Sequence, residues 1–407
     1  VVTATISVTD VSDLDDLAGT GHAYTITVGT NQVTAAALNT INAATTINVT
    51  ASAVTQITGS VSELATTYGG GITGLGNEAI VLTENITSTE ANTIDAYTDG
   101  VVTATISTQT IADLDDLTGT GNAYTITVAT EQVTAAALNT VNAATTVDVN
   151  ASAVTQITGS AAELATTYSG TGFTGLGNET IVLTDTTLAA ATLTPTINNY
   201  SSVAINANSV ETLTGSNAEI VAVFTADTAG TVIVDGNANL TVSDNITVTE
   251  ANVLNGHTSG VVTATISVTD VSDLDDLAGT DHAYTITVAT EQVTAAALNT
   301  INAATTINVT ASAVTQITGS VSELATTYGG GITGLGNEAI VLTENITSVQ
   351  ANTIDAYTDG VVTATISTQT IADLDDLTGT GNAYTITVAD NQVTAAALNT
   401  VNAATTV

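Results

Sequence analysis

Short runs in which apolar residues alternate with Thr or Asn recur along the chain. VVTATI begins at position 1 and again at 101, AYTITV begins at 23, TTINVT at 45 and EAIVLT at 78. An apolar residue at every second position is typical of a strand with one buried face. The pattern therefore predicts a strand at each of these runs, evenly spaced except for one wider coil between positions 45 and 78.

The segments between these runs follow a different period. VSDLDDLAG, QVTAAALNTINAA and EANTIDAYTDG carry apolar residues three or four positions apart, as at Val33, Ala37 and Ile41. This spacing predicts short helices, each lying between two strands. The glycine-rich stretch GGGITGLGN (69–77) lacks the lysine of a phosphate-binding loop, so we expect it to turn the wider coil.

The strand and helix unit is nested in long repeats. Residues 1–100 form module A, residues 101–260 form a longer module B with an extra internal copy, residues 261–360 repeat module A, and residues 361–407 repeat part of module B. The second module A differs from the first at only five positions, so the full repeat is 260 residues long. The chain begins and stops within repeat elements, which indicates an excerpt of a longer polymer.

A strand and a short helix in every coil of about 22 residues predict a repeat solenoid. Parallel β-strands would stack from coil to coil, with the helical segments on another side, in a β-helix or an α/β solenoid. A string of β-sandwich domains is the alternative. It is disfavoured because segments of helical period separate the strands.

Composition narrows the classes of partner. The 407 residues include no Lys or Arg, and the net charge is −39. Nucleic acid is excluded as a partner because its recognition depends on basic side chains. No apolar run is long enough to insert into a membrane. The remaining partners are further copies of the chain, through self-association, and glycans attached at Asn-x-Ser/Thr or at Thr.

Histidine is rare, and its positions vary between modules. The chain has His22, His257 and His282, but modules B carry Asn122 and Asn382 where modules A carry His22 and His282. A catalytic or metal-binding histidine would not alternate with Asn, so we expect the histidines to be solvent-exposed turn residues. The sequence thus predicts no enzymatic activity.

The DLDDL clusters are the candidate metal sites. Their carboxylates suit calcium, which prefers oxygen ligands, and the acidic chain needs counterions. The candidate calcium ligands are Asp13, Asp15, Asp16, Asp113, Asp115, Asp116, Asp273, Asp275 and Asp276. The alternative is that Asp13 caps a helix while Asp15 and Asp16 face water. No other cofactor is indicated.

Threonine pairs on the predicted strands, such as Thr3 with Thr5 and Thr103 with Thr105, would form rows across stacked coils. Such rows suggest an ice-binding solenoid as one alternative function. The simpler interpretation is that the threonines form a polar outer face of the strands, because Thr favours strands. Val81 and Leu82 are expected to interrupt the rows.

The repeated segments LNTINAATT, ASAVTQITGS and SELATTY resemble those of very large Thr/Ala/Asp-rich, Lys- and Arg-free surface proteins of bacteria, of the cyanobacterial type. The resemblance covers the whole chain. It implies an extracellular or cell-surface location and a non-catalytic structural role. The expected function is a segment of an extracellular filament, sheath or surface layer, and the stalk of a giant adhesin is the alternative.

Overall fold

The computed structural model describes residues 1–407 and consists of short parallel strands and short helices. The strands are β1 (Thr3–Thr5), β2 (Ala23–Thr25), β3 (Gln32–Thr34), β4 (Val49–Thr50), β5 (Gln56–Gly59), β6 (Ile72–Thr73), β7 (Ala79–Ile86), β8 (Val102–Ile106), β9 (Ala123–Thr125), β10 (Gln132–Thr134), β11 (Val149–Asn150), β12 (Gln156–Gly159), β13 (Phe173–Thr174), β14 (Thr180–Leu183), β15 (Thr187–Ala189), β16 (Ile205–Ala207), β17 (Thr212–Gly215), β18 (Val232–Val234), β19 (Asn239–Ile246), β20 (Val262–Ile266), β21 (Ala283–Thr285), β22 (Gln292–Thr294), β23 (Val309–Thr310), β24 (Gln316–Gly319), β25 (Ile332–Thr333), β26 (Ala339–Ile346), β27 (Val362–Ile366) and β28 (Ala383–Thr385).

The α-helices are α1 (Val11–Leu14), α2 (Ala35–Ala43), α3 (Val61–Tyr68), α4 (Ser88–Asp95), α5 (Ile111–Leu114), α6 (Ala135–Ala143), α7 (Ala161–Thr167), α8 (Asn217–Thr228), α9 (Val248–His257), α10 (Val271–Leu274), α11 (Ala295–Ala303), α12 (Val321–Thr327), α13 (Ser348–Asp355), α14 (Ile371–Leu374) and α15 (Ala395–Ala403). Two irregular helical turns follow each other at Thr192–Thr196 and Ile197–Asn199, and the first contains Pro195. The longest helix, α8, has 12 residues, and no helix combines the length and apolar character needed to span a bilayer.

The chain forms two compact units. The first contains residues 1–185, 195–209 and 230–233, and the second contains residues 186–194, 210–229 and 234–407. In the first unit, β3-β5-β7-β8-β9 and β10-β12-β14-β16-β18 are five-stranded sheets. In the second unit, the corresponding sheets are β15-β17-β19-β20-β21 and β22-β24-β26-β27-β28.

The paired strands are parallel, and each strand pairs with the strand one coil further along. Gln32 pairs with Gln56, Gln56 with Ala79, and Thr103 with Ala123, so the step between rungs is longest in the first pair and shortest in the last. Parallel neighbours need a crossover connection, and here the short helices provide it. The predicted α/β solenoid is therefore confirmed within each unit, in place of antiparallel sandwiches.

The longest and the shortest coils of the sheet that begins with β3 contain helices of different length. The long step between β3 and β5 contains α2, which has 9 residues. The short step between β8 and β9 contains α5, which is a single turn of 4 residues. The same two coil sizes recur in the second unit, where α11 and α14 take these places.

The predicted wide coil between positions 45 and 78 is wrong. Strand β5 and helix α3 lie inside this interval, so the chain there forms ordinary coils whose rungs pair Gln32 with Gln56 and Gln56 with Ala79. Of the segment TTINVT, only Val49–Thr50 forms a strand, and Ile47 is 40% exposed. The segment belongs to a second row of pairing, in which Thr45 bridges His22, Thr50 bridges Thr27 and β4 pairs with β6, so it is not in the same row as the strand at EAIVLT.

The core consists mainly of aliphatic side chains from strands and helices, together with buried tyrosines such as Tyr124. Leu38, Ile57, Leu64 and Ile80 are fully buried. A capping box fixes the start of α3, since Ser60 accepts from the Glu63 amide and the Glu63 carboxylate accepts from the Ser60 amide at 2.8 Å. Seven helices begin with this box, which aligns each buried helix face with its strand.

Candidate functional site

The aspartates of the DLDDL clusters lie on the surface. In the first cluster, Leu14 is buried while Asp13, Asp15 and Asp16 are exposed, and the other copies have the same pattern. The same exposure holds for Asp113, Asp115, Asp116, Asp273, Asp275 and Asp276. The leucines anchor a single helical turn to the core, and the carboxylates point away from it.

The expected capping role of Asp13 is wrong. Asp10 caps α1, because its Oδ1 atom accepts from the Ser12 amide at 3.0 Å and from the Ser12 hydroxyl at 2.8 Å. These bonds lower the pKa of Asp10. Asp13 lies in the first turn, where the helix dipole favours a negative charge. The cap of α1 is thus Asp10, the residue immediately before the helix.

The structure contains no group of three or more His, Asp or Glu side chains arranged to hold a metal ion. Calcium can also use carbonyl and amide oxygens, which such a group does not include. Calcium binding at the DLDDL clusters therefore stays a prediction.

The histidine and asparagine that alternate between modules occupy a buried joint between coils. Asn122 and Asn382 are 2% exposed and His282 is 5% exposed, so the predicted exposed turn is wrong for this position. His22 is partly buried. His257 alone is exposed as predicted, and it stacks on Phe224 with ring centres 4.7 Å apart.

We call the first version the A-to-B joint, formed by Asp95, Val102 and Asn122, with a copy at Asp355, Val362 and Asn382. Asn122 Oδ1 accepts from the Val102 amide at 2.8 Å, and its Nδ2 group donates to Asp95 Oδ1 at 2.7 Å. The copy has the same bonds, at 2.8 and 2.6 Å. One side chain thus binds both the strand and the end of the helix of the preceding coil.

The B-to-A joint is formed by Asn255, Val262 and His282. His282 Nδ1 accepts from the Val262 amide at 3.2 Å, and Nε2 is 2.7 Å from Asn255 Oδ1. Since Oδ1 can only accept, Nε2 carries the proton and the ring is neutral. Both partners differ between the two joints. Asn122 bonds to Asp95 in the A-to-B joint, whereas His282 bonds to Asn255 in the B-to-A joint. Both pairs supply one acceptor for the strand and one donor for the helix.

A second joint binds the first amide of a helix to a side chain of the next coil. The Val61 amide of α3 donates to Glu84 at 2.8 Å, and the Ser88 amide of α4 donates to Gln109 at 2.9 Å. Further bonds of this kind join Ile111 to Thr130, Ala161 to Asp185, Asn217 to Asp244, Val271 to Thr290 and Val321 to Glu344. The first amides of a helix have no hydrogen-bond acceptor within that helix. Each of these bonds supplies the missing acceptor and links the helix to the next coil.

Helix interiors are also joined from coil to coil. Asn39 in α2 donates to the Glu63 carbonyl at 2.9 Å and accepts from the Thr67 hydroxyl at 2.9 Å, and both partners belong to α3. The copies at Asn139 and Asn299 make the same bond at 3.0 and 2.9 Å. The agreement between copies shows that the helices stack in one fixed register.

A buried glutamate organises the glycine-rich turn. Glu78 is 2% exposed, and its Oε2 atom accepts from the Gly76 and Asn77 amides at 2.7 and 3.1 Å. Tyr68 donates its hydroxyl to Glu78 Oε1 and stacks on Tyr97 with ring centres 4.7 Å apart. Burial and the neighbouring carboxylate raise the pKa of Tyr68, so it stays a donor. Glu179 and Glu338 are held in the same way.

The threonine rows are short, as predicted. Thr34 pairs with Thr58, but the next residue in the row is Val81, followed by Thr103 and then Ala123. The hydroxyls therefore do not form a continuous flat array across a five-stranded sheet.

Sequence reasoning missed the joints because their partners are separated by a whole coil of sequence, as Asn122 is from Val102 and Asp95. The signal that could have found them is the paired change of residues 95 and 122 against 255 and 282. The N-cap residue before each helix is a weaker signal. It marks where the helix begins, but it does not identify the side chain of the next coil that accepts from the first helical amide.

Comparisons with known proteins add little. No protein family matches the sequence, and no curated protein matches it. One solved structure that aligns with the chain is the plant peptide hormone receptor RGFR1 in complex with RGF2. The alignment has 11% identity and a TM-score of 0.18, and covers 90% of this chain and 63% of the receptor chain. The chain thus spans less than two thirds of that receptor, and a TM-score of this size does not establish a shared fold.

Proposed function

We propose that the chain is a non-catalytic structural segment of an extracellular filament, sheath or surface layer. The observation that carries this proposal is the set of side-chain bonds between successive coils, which recur with the same geometry from copy to copy. In a solenoid, stability comes from each coil and its contacts with its neighbours, so copies can be added without redesigning a core.

The joints suit a load-bearing role. At an A-to-B joint, Asn122 is bonded to both the strand and the helix of the preceding coil. At the start of α3, Glu84 of the next coil holds the first helical amide. Separating two coils would exchange these bonds for bonds to water, at a net cost of about 0.5–1.5 kcal/mol each, and would also expose the apolar faces that the coils bury against each other. Adjacent coils should therefore resist separation along the stacking direction.

The extracellular setting is part of the proposal. It rests on the resemblance of the repeats to bacterial surface proteins and on the composition. A chain without Lys or Arg offers no cleavage site to trypsin-like proteases. A net charge of −39 also keeps neighbouring chains apart until cations or specific contacts join them.

The test is to express one and two copies of the 260-residue repeat and measure them by electron microscopy and small-angle X-ray scattering. We expect the longest dimension to grow in proportion to copy number while the cross-section stays constant. Compact particles whose diameter rises only with the cube root of mass would refute the proposal.

Ice binding is a weaker candidate. The interruption of the threonine row at Val81 counts against it, because ice recognition requires a regular flat array. Thermal hysteresis of the purified repeat tests this function directly. The adhesin-stalk alternative requires a non-repeat binding domain, which the sequence flanking this segment would reveal.

A further inference from the structure

Of these joints, the B-to-A joint alone is formed by an imidazole side chain. In the A-to-B joints, Asn122 and Asn382 occupy this position, and an amide side chain cannot ionise. In the B-to-A joint, His282 makes the equivalent bonds. Imidazole changes its charge in the physiological range, so the two joints differ in their response to acid.

Protonation is incompatible with the bonds that His282 makes. The neutral ring uses its Nδ1 lone pair to accept from the Val262 amide at 3.2 Å. The imidazolium carries hydrogen on both nitrogens, so Nδ1 would face the Val262 amide as a second donor. The joint then loses a bond to the preceding strand and gains a charge in a site that is 5% exposed.

The groups around the ring offer little compensation. Asn255 from α9 and Val262 from β20 are neutral, and so is Thr305, which pairs with His282 from the next coil. Tyr284 lies 5.1 Å away between ring centres, and burial raises its pKa to about 12, so it is neutral as well.

Asp281 is the one carboxylate that acts on His282. It favours the charged ring, but burial has the larger effect, so the pKa of His282 lies below its ordinary value. Asp281 is exposed to solvent, which screens its charge. A group with a lowered folded pKa contributes stability above the unfolded pKa and loses it as the pH falls.

We propose that the B-to-A joint is an acid-sensitive joint, which opens when His282 takes up a proton while the A-to-B joints stay closed. Each 260-residue repeat would then contain one place at which mild acid separates neighbouring coils. This inference depends only on the joint geometry, so it holds whether or not the chain belongs to a filament.

The experiment is hydrogen exchange of the whole 407-residue chain at about pH 7.5 and about pH 5, corrected for the intrinsic pH dependence of exchange. We expect protection of the Val262 amide to fall by up to about tenfold for each pH unit below the ordinary pKa of histidine, and to level off once the pH passes the lowered folded pKa of His282. Protection of the Val102 and Val362 amides should stay constant and serves as the internal control.

Two double variants, in which the residue pair of one joint replaces that of the other, complete the test. The double variant His282→Asn with Asn255→Asp gives the B-to-A joint the pair found at Asn382 and Asp355. It should remove the acid response at Val262. The reverse pair, Asn382→His with Asp355→Asn, should create an acid response at Val362, and it remains informative if the first variant fails to fold.

Three results would overturn the proposal. The first is unchanged protection at Val262 in the wild-type chain at the lower pH. The second is an equal loss of protection at Val102, which would indicate general acid loosening. The third is an acid response at Val262 that persists in the first double variant.

Discussion

A close contact between coils makes Gly59 the most informative position for mutation. Gly59 is the last residue of β5, it is buried, and it lies below Ala35 at the start of α2 in the preceding coil. A Cβ atom at Gly59 would lie 2.7 Å from Ala35 Cβ, whereas ordinary contacts begin at 3.4 Å. The copies at Gly159 and Gly319 are equally tight, at 2.8 and 2.7 Å.

The expected cost of Gly59→Ala follows from two opposing effects. Overpacking a buried contact costs about 1–3 kcal/mol. Because φ at Gly59 is not in the left-handed region, Ala gains about 0.4–1 kcal/mol from the smaller entropy of its unfolded state. We therefore expect a net loss of about 1–2 kcal/mol in the free energy of unfolding of these coils.

The matched variant is Ala35→Gly, which removes the other methyl group. Combined with Gly59→Ala, it restores the space, so the double variant should be more stable than the sum of the single changes by about 1–2 kcal/mol. Gly256→Ala is the control for the general effect of the substitution. No atom lies within 4 Å of the added Cβ in α9, so it should stabilise the chain by about 0.5–1 kcal/mol.

The assay is urea denaturation together with hydrogen exchange of the α2 and β5 amides, because a repeat array can lose single coils without unfolding as a whole. If Gly59→Ala is as stable as the wild type, or if Ala35→Gly fails to rescue it, the proposed register of α2 over β5 is wrong.

Three further predictions concern a turn, a helix cap and a cation. Gly121 has a φ of +80°, so Gly121→Val should cost about 1–2 kcal/mol. Gly121→Asp should cost less, since Asp281 holds the equivalent position at a φ of 65°; thermal melting that gives the reverse order would contradict this. The Ser320 amide and hydroxyl lower the pKa of Glu323, so its cap is complete above about pH 4.5 and is lost as the pH falls through the lowered folded pKa. Glu323→Gln should keep the cap, as Gln350 does in α13, and reduce the loss of stability between about pH 5 and pH 3; equal acid curves by circular dichroism would count against this role. If the DLDDL clusters bind calcium, a chelator should lower the melting temperature, and added calcium but not an equal ionic strength of sodium should restore it; an unchanged melting temperature would argue against structural calcium.

The local pattern was sufficient for the elements whose partners are close in sequence. The alternation in VVTATI predicts β8, and the spacing of Ala37 and Ile41 predicts α2, because a strand or helix turns a fixed set of positions towards the core. Val33 belonged to the same predicted helical series, but it lies in strand β3. The nested repeats predicted the parallel solenoid, since one coil cannot bury its apolar face without a neighbour.

The tertiary structure decided which residues meet between coils. Asn122 and His282 look like polar turn residues in the sequence, but both are buried and bonded to the preceding coil. Whether such a residue is exposed depends on coil size and on pairing register, and register is fixed by the whole stack of strands and helices. The sequence could therefore show that these positions alternate between Asn and His. Only the fold shows why both fit, because each supplies one acceptor and one donor at the same place.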